Sequence, residues 1–149
     1  NYFDGNLEII REMLLDDATI MGLGDGGAHV CTVCDEGAPT YLLSHWARDR
    51  RRGEKLPIEF LVRKHTRVSA LGYGLTDRGL IKPGYKADLN VIDFENLKLT
   101  DAEVHYDLPA GGKRLVQRAT GYKHTFVSGC EIISNDEQTG ALPGNLLRS

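Results

Sequence analysis

The chain has 149 residues, of which 41% are hydrophobic and 26% are charged, and its formal net charge is −3. This composition is typical of a soluble globular domain, and the weak negative charge argues against binding to nucleic acid or to an anionic membrane. No apolar stretch approaches the roughly 18 residues that a membrane-spanning helix needs. The three cysteines have no disulfide-framework spacing, so we expect free thiols and a cytoplasmic location.

The first 25 residues predict a helix followed by a buried strand. Apolar residues recur at helical spacing over residues 7–15, with Asn6 as a suitable N-cap. Residues 18–24 form a nearly continuous apolar run, which favours a strand buried on both faces, as in a parallel sheet. Functional residues of α/β barrels lie where strands end. Asp25, which follows the run among glycines, is therefore the first candidate site residue.

Helices are predicted for the segment up to residue 72. Pro39 begins one that continues to Arg48, and Pro57 begins another, since proline is favoured at the first helical position. Thr66 can cap a last short helix that ends at Leu71. The sequence therefore predicts three helices here.

The remaining sequence predicts a β-rich unit that begins near residues 72–78. Residues 87–94 predict a strand, in which Asp88 is expected to anchor backbone. Residues 122–127 and 131–133 flank a Ser-Gly-Cys turn signal and predict a hairpin.

Three parts of the sequence carry a family resemblance. Residues 22–29, GLGDGGAH, are similar to the final barrel strand and loop of amidohydrolases, and residues 77–93, DRGLIKPGYKADLNVID, to their return from barrel to sandwich. The motifs at residues 107–112, 120–121 and 139–144 resemble the C-terminal part of the D-aminoacylase-like members of that superfamily. Together these stretches resemble the N-acyl-D-amino-acid deacylase (D-aminoacylase)-like branch of the amidohydrolase superfamily.

The resemblance implies an α/β fold in two parts. Residues 1–76 would be the terminal part of a metal-dependent (β/α)8 barrel, and residues 77–149 part of a small β-sandwich. The parent protein would be a metal-dependent hydrolase that cleaves a non-peptide amide C–N bond, with N-acyl-D-amino acids as expected substrates. It would use one or two divalent metals, with zinc as the first expectation.

The same resemblance implies that this chain is a fragment. The family's ligands include an early His-x-His motif and later histidines, and this sequence contains no His-x-His. We therefore expect the isolated chain to be inactive and to bind no metal, and to associate with the missing N-terminal region or with copies of itself.

Two residues of the glycine-rich loop are implicated by the resemblance. Asp25 would take the proton from the metal-bound water and pass it to the leaving amine, and it is also a candidate metal ligand. His29 is a candidate substrate-binding residue. From the local sequence alone, Asp25 could equally be a turn residue, because Asp-Gly pairs are common in turns, and His29 a hydrogen-bonded loop histidine.

One departure from the family affects the expected substrate. Known relatives carry a His-Pro-Arg stretch after this aspartate, whose arginine helps to hold the substrate carboxylate. Residues 34–40 contain no arginine here, and Asp35 and Glu36 would repel a carboxylate. Another amide or a cyclic imide therefore stays open, and Arg48 and Arg114 are weaker alternative carboxylate ligands.

Two further hypotheses come from the residues. The first is an alternative to the enzyme hypothesis, in which the chain is a stable, non-catalytic module that pairs with another chain, because open sheet edges favour pairing. Alternatively, Cys31 and Cys34 could begin a small zinc site, although one Cys-x-x-Cys supplies only two of the four ligands that a structural zinc requires.

Overall fold

The structure is a computed structural model that describes residues 5–22, 24–27 and 29–147. Helices occupy the first half of this part of the chain and strands the second half. The helical segments are α1 (Glu8–Leu15), α2 (Ala38–Leu43, continued as a π-helix over Ser44–Asp49) and α3 (Ile58–Arg63, continued over Lys64–Val68 and Ser69–Gly72). A short 3₁₀ turn, Asp35–Gly37, precedes α2.

The strands pair only in antiparallel fashion within the described residues. They are β1 (Leu89–Ile92), β2 (Lys98–Leu99), β3 (Glu103–Leu108), β4 (Gly112–Val116), β5 (Ala119–Thr120), β6 (Tyr122–Val127), β7 (Cys130–Ser134) and β8 (Glu137–Gln138). One sheet has the order β1-β6-β7-β8, and two-stranded sheets join β2 to β5 and β3 to β4. The mixture of helices and sheets agrees with the predicted α/β class.

Several predicted elements are confirmed. Helix α1 begins one residue after the predicted start, and the Asn6 side chain accepts a hydrogen bond from the Glu8 amide at 3.0 Å. The predicted hairpin is β6–β7, where Ser128 and Gly129 have φ of 52° and 78°. Two central residues with positive φ form the type I′ turn that suits the twist of paired strands. Asp88 anchors backbone as expected, accepting a hydrogen bond from the Ser128 amide at 2.8 Å.

The predicted strand over residues 18–24 is wrong for the residues that the structure describes, Leu23 lying outside them. The segment instead begins with a turn, in which the Thr19 amide donates to the Asp16 carbonyl at 3.2 Å. A strand requires a neighbouring strand for its ladder of hydrogen bonds, and no described strand pairs with this segment. Its apolar character serves helix packing instead, since Met21 packs against the helical core.

The separate helix predicted from Thr66 is also wrong, because α3 runs through this position without a break. The Thr66 hydroxyl donates to the Val62 carbonyl at 2.7 Å. This is the bond that a threonine makes in a helix interior, whereas an N-cap threonine accepts from an amide.

The helical core lies between α1, α2 and α3. Its buried members are Leu42, Trp46, Leu56 and Leu61. The Arg50 guanidinium lies 4.5 Å from the centre of the Trp46 ring and pairs with Glu8. An arginine so deeply buried is stabilised by its partner carboxylate and by the aromatic face. These contacts hold α1 against the end of α2.

The helices contact the strands through α2. Thr40 and Tyr122 share a hydrogen bond of 2.8 Å between their hydroxyls. The Arg48 guanidinium donates to the Leu97 carbonyl at 2.7 Å, and the Leu97 side chain is fully buried. The loop that contains Asp25 precedes α2 and therefore lies where the helices meet the strands.

Candidate functional site

The backbone of the loop that contains Asp25 is unusually bent. Asp25 and His29 have φ of 54° and 43°, in the left-handed region, and Gly27 has φ of 87°. Residues other than glycine rarely adopt this region, because the Cβ atom approaches the backbone closely. Asp25, Gly26 and Gly27 are all exposed. The loop therefore presents the Asp25 carboxyl group to solvent from a constrained backbone.

The Asp35–Gly37 turn forms one support of this loop. A methyl group on Gly24 would come within 2.7 Å of the Asp35 carbonyl oxygen and 2.9 Å of the Glu36 Cα atom. The Gly26 amide donates to the Glu36 Oε1 atom at 2.8 Å. Glycines on both sides of Asp25 thus allow the loop to lie directly on the turn.

The second support comes from strand β4. The Leu115 amide donates to the Val30 carbonyl at 2.7 Å. The His29 carbonyl accepts from the Thr32 and Val33 amides at 2.7 and 3.1 Å, which closes a turn after the loop. The loop is therefore held both by the turn before α2 and by the β3–β4 hairpin.

Asp25 and His29 lie on the same loop, but the structure does not join them. In the described part of the chain, neither side chain makes a hydrogen bond or ion pair. An exposed carboxylate without an internal partner remains available to accept a proton or to ligate a cation. The ring of His29 is equally available to a ligand.

The two arginines considered as alternative carboxylate ligands already have partners. Arg48 binds the Asp49 carboxylate through two hydrogen bonds of 2.7 and 2.8 Å. These bonds raise the pKa of Arg48 and lower the pKa of Asp49, since each charge stabilises the other. Arg114 binds Asp107 in the same bidentate manner, at 2.7 and 2.6 Å. In the part of the chain that the structure describes, neither guanidinium makes a hydrogen bond or ion pair with the Asp25 loop.

The described residues do not by themselves form a metal centre. Over residues 5–22, 24–27 and 29–147, no group of three or more histidine, cysteine or acidic side chains could hold a metal ion. Cys31, Cys34 and Cys130 are free thiols. Asp25 can therefore contribute one carboxylate to a metal site, but the set of ligands is not completed by its described neighbours.

Among the described residues, no helix is long and apolar enough to cross a lipid bilayer.

Comparison with known proteins identifies the family. A model of the Amidohydrolase family matches residues 5–133. The chain belongs to the amidohydrolase family. Two relatives from Alcaligenes xylosoxydans xylosoxydans place it in the D-aminoacylase-like branch: an N-acyl-D-aspartate deacylase, 31% identical over 111 residues, and a D-aminoacylase, 31% identical over 106 residues.

This amidohydrolase chain spans about one fifth of those relatives. The matches cover 74% and 71% of this chain but 20% and 19% of the relatives. A crystal structure of D-aminoacylase, described as defining a novel subset of amidohydrolases, is similar with a TM-score of 0.51 and 30% identity. That match covers 69% of this chain and 19% of the other. A further D-aminoacylase structure, at 29% identity, concerns the functional role of a binuclear metal centre.

The amidohydrolase sequence did not reveal what supports the Asp25 loop. The sequence indicates Glu36 only as a negative charge near the substrate, yet its side chain accepts a hydrogen bond from the loop backbone. Nothing in the sequence points to Leu115, because it is 85 residues from Val30 in sequence order. The glycines at positions 24 and 26 signal a close approach, but not the identity of the residue that approaches.

Proposed function

We propose that the protein containing this chain hydrolyses the amide C–N bond of N-acyl-D-amino acids. Support comes from the family match together with the D-aminoacylase and the N-acyl-D-aspartate deacylase among its relatives. Because the chain spans about one fifth of those relatives, the activity belongs to the complete protein, and the isolated chain is expected to be inactive. The three free thiols favour a reducing compartment such as the cytoplasm.

We also propose that residues 1–76 form the end of a metal-dependent (β/α)8 barrel and residues 77–149 part of a β-sandwich. The helices up to Gly72 and the antiparallel strands from Leu89 onwards support this division. One or two divalent metals, zinc first among them, would polarise the amide carbonyl and activate water. Asp25 would be one ligand of such a site, and because no group of three or more candidate ligands lies among the described residues, further ligands would have to come from elsewhere in the complete protein.

Asp25 is the proposed proton-transfer residue. Amide hydrolysis requires a base that accepts a proton from the attacking water and an acid that protonates the leaving amine. One carboxyl group can perform both steps in turn. The observation that carries this proposal is an exposed carboxylate without an internal partner, on a loop that two other segments hold in place. His29, exposed on the same loop, is the proposed substrate contact.

The test uses the complete protein with its metal bound. We expect hydrolysis of N-acetyl-D-amino acids in preference to their L-enantiomers, and loss of turnover on treatment with a chelator. Asp25→Asn should lower kcat by about a hundredfold or more, the usual contribution of general acid–base catalysis. Asp101→Asn, which changes an exposed aspartate in the strand region, is the matched control and should retain activity.

Two results would contradict this assignment. Equal turnover by the Asp25→Asn variant and the wild type would remove Asp25 from the chemistry. Hydrolysis of a cyclic imide, without hydrolysis of any N-acetyl-D-amino acid, would replace the proposed substrate class. The acidic Asp35 and Glu36 make this second comparison informative, because both are exposed close to the loop.

A second proposal is that this chain associates with further protein surface. Ile81 and Leu142 are 91% and 95% exposed, and Leu146 is 78% exposed. Strands β1 and β8 each have one edge without a described partner. Exposed apolar side chains and open edges favour association.

Light scattering and metal analysis of the isolated chain test this proposal, and we expect an oligomer without stoichiometric zinc. A monomer that binds one zinc, and loses it on Cys34→Ser, would favour the cysteine site instead.

A further inference from the structure

We propose that Glu36 is a positioning residue for Asp25. The inference rests on the proposed function, because the consequence of correct positioning is proton transfer by Asp25. The Glu36 carboxylate does not touch the reacting atoms. It acts through the backbone of Gly26, which immediately follows Asp25.

The contacts of Glu36 are with the loop backbone on both sides of Asp25. Its Oε1 atom accepts the Gly26 N–H at 2.8 Å. A methyl group on Gly26 would lie within 2.5 Å of that oxygen and 2.6 Å of the Glu36 Cγ atom. The Glu36 Cα atom faces Gly24 at a similarly close distance, 2.9 Å from where a methyl group would be. Glu36 therefore binds one neighbour of Asp25 and lies close against the other.

The backbone of Asp25 requires such a restraint. Its φ of 54° lies in the left-handed region, which costs free energy for a residue with a Cβ atom. A conformation of this kind persists only when the surrounding structure holds it. The hydrogen bond from the Gly26 amide to the Glu36 side-chain oxygen supplies one such restraint. Glu36 thereby restrains the backbone from which the Asp25 side chain projects.

Asp35 provides a matched comparison in the same turn. It carries the same charge and is exposed, but its side chain makes no hydrogen bond or ion pair within the described residues. Removing either carboxylate changes the net charge near Asp25 by one unit. A difference between Glu36→Ala and Asp35→Ala therefore measures the contact with Gly26 and not the change of charge.

The experiment compares Glu36→Ala, Glu36→Gln and Asp35→Ala in the complete metal-bound protein, with N-acetyl-D-amino acids as substrates. We expect Glu36→Ala to lower kcat by about tenfold relative to Asp35→Ala, because misplacing a reacting group by 1 Å can lower the rate by about a hundredfold. KM should change by less than about threefold, since Glu36 is not proposed to bind the substrate. Glu36→Gln retains an oxygen acceptor at the same position and should recover most of the lost kcat. The melting temperature is measured for each variant, so that misfolding is recognised.

A second readout does not depend on activity. Exchange of the Gly26 amide hydrogen should become severalfold faster in Glu36→Ala, and should stay near the wild-type rate in Glu36→Gln and Asp35→Ala. Equal kcat and equal exchange in Glu36→Ala and Asp35→Ala would overturn the positioning role. Loss of kcat in Glu36→Gln as large as in Glu36→Ala would overturn it as well, since charge would then be the cause.

Failure of the proposed function gives a different pattern. If the wild type hydrolyses no N-acetyl-D-amino acid, or if Asp25→Asn is fully active, the chemistry assigned to Asp25 is wrong. Exchange at Gly26 then still reports whether Glu36 holds the loop. If Asp25→Asn is inactive while Glu36→Ala matches its control, only the positioning role is lost.

Discussion

At the scale of single residues, Arg48 shows how one side chain can join two parts of the chain. Its guanidinium donates to the carbonyls of Leu97 and Glu95 at 2.7 and 3.2 Å, and also to that of Phe94. It lies 5.5 Å from the centre of the Phe94 ring. A planar guanidinium can make several bonds at once in fixed directions, and a lysine ammonium cannot reproduce that pattern. These contacts give Arg48 a structural role between helix α2 and the segment before strand β2.

We expect Arg48→Lys to lower the free energy of unfolding by about 1–2 kcal/mol, because carbonyl groups in the turn between β1 and β2 lose their donors. Arg114→Lys is the control, since that arginine binds an exposed aspartate on the surface and should contribute little. Chemical denaturation of both variants measures the difference. Equal stability of the two variants would show that the carbonyl contacts of Arg48 are not important.

At the scale of an element, Gly121 allows the start of strand β6 to lie close to the turn at residues 93–97. It has φ of 107°, and its amide plane is fixed because its carbonyl accepts the Asp93 amide at 2.8 Å. A methyl group there would lie 2.8 Å from the Leu97 Cα atom and 3.1 Å from the Asp93 carbonyl oxygen. Both contacts are with backbone, which cannot move aside as a flexible side chain could.

We expect Gly121→Ala to be more destabilising than Gly129→Ala by about 2 kcal/mol, the usual cost of forcing an extra methyl group into a packed site. Gly129 is the matched control, because it also has positive φ, of 78°, but open space where its methyl group would lie. Both variants carry the conformational cost, so their difference isolates the steric clash. Thermal unfolding measures this difference in stability. Similar melting temperatures of the two variants would show that β6 can shift without loss of stability.

At the scale of the whole molecule, we expect two partly buried histidines to make stability depend on pH. His65 in helix α3 has a buried Nδ1 atom without a hydrogen-bond partner among the described residues, and burial lowers its pKa. His45 contributes in the same direction, since burial, followed by the charge of Arg50, lowers its pKa. The unfolded chain binds these protons near pH 6.5, whereas the folded chain binds them only at lower pH. The stability that these two groups contribute is therefore fully present above about pH 6.5 and is lost as the pH falls through their lower pKa values in the folded chain.

We expect the melting temperature to decrease between about pH 7.5 and pH 5.5, and to decrease less in His65→Gln, because glutamine does not titrate. Thermal unfolding at the two pH values measures the slopes. An unchanged slope in His65→Gln would assign the acid sensitivity to other groups.

The sequence by itself determined the features that depend on local chemistry. Helix α1 follows from the spacing of its apolar side chains, and the β6–β7 turn from residues that tolerate positive φ. The family resemblance follows from short motifs and their order along the chain. The candidate Asp25 also came from its local motif, because glycines on both sides mark a backbone that must bend. Each of these signals spans a few residues, which is the range over which helical and turn preferences act.

Only the tertiary structure decided what these segments contact. The apolar run at residues 18–24 predicted a strand, but an apolar run is satisfied equally by helix packing, and the choice depends on whether a strand lies beside it. Glu36 and Leu115 meet the Asp25 loop from 10 and 85 residues further along the chain, through bonds to backbone amides and carbonyls. Every residue carries these backbone groups, so sequence cannot show which of them will pair. Their pairing depends on the folded arrangement of the helices and strands.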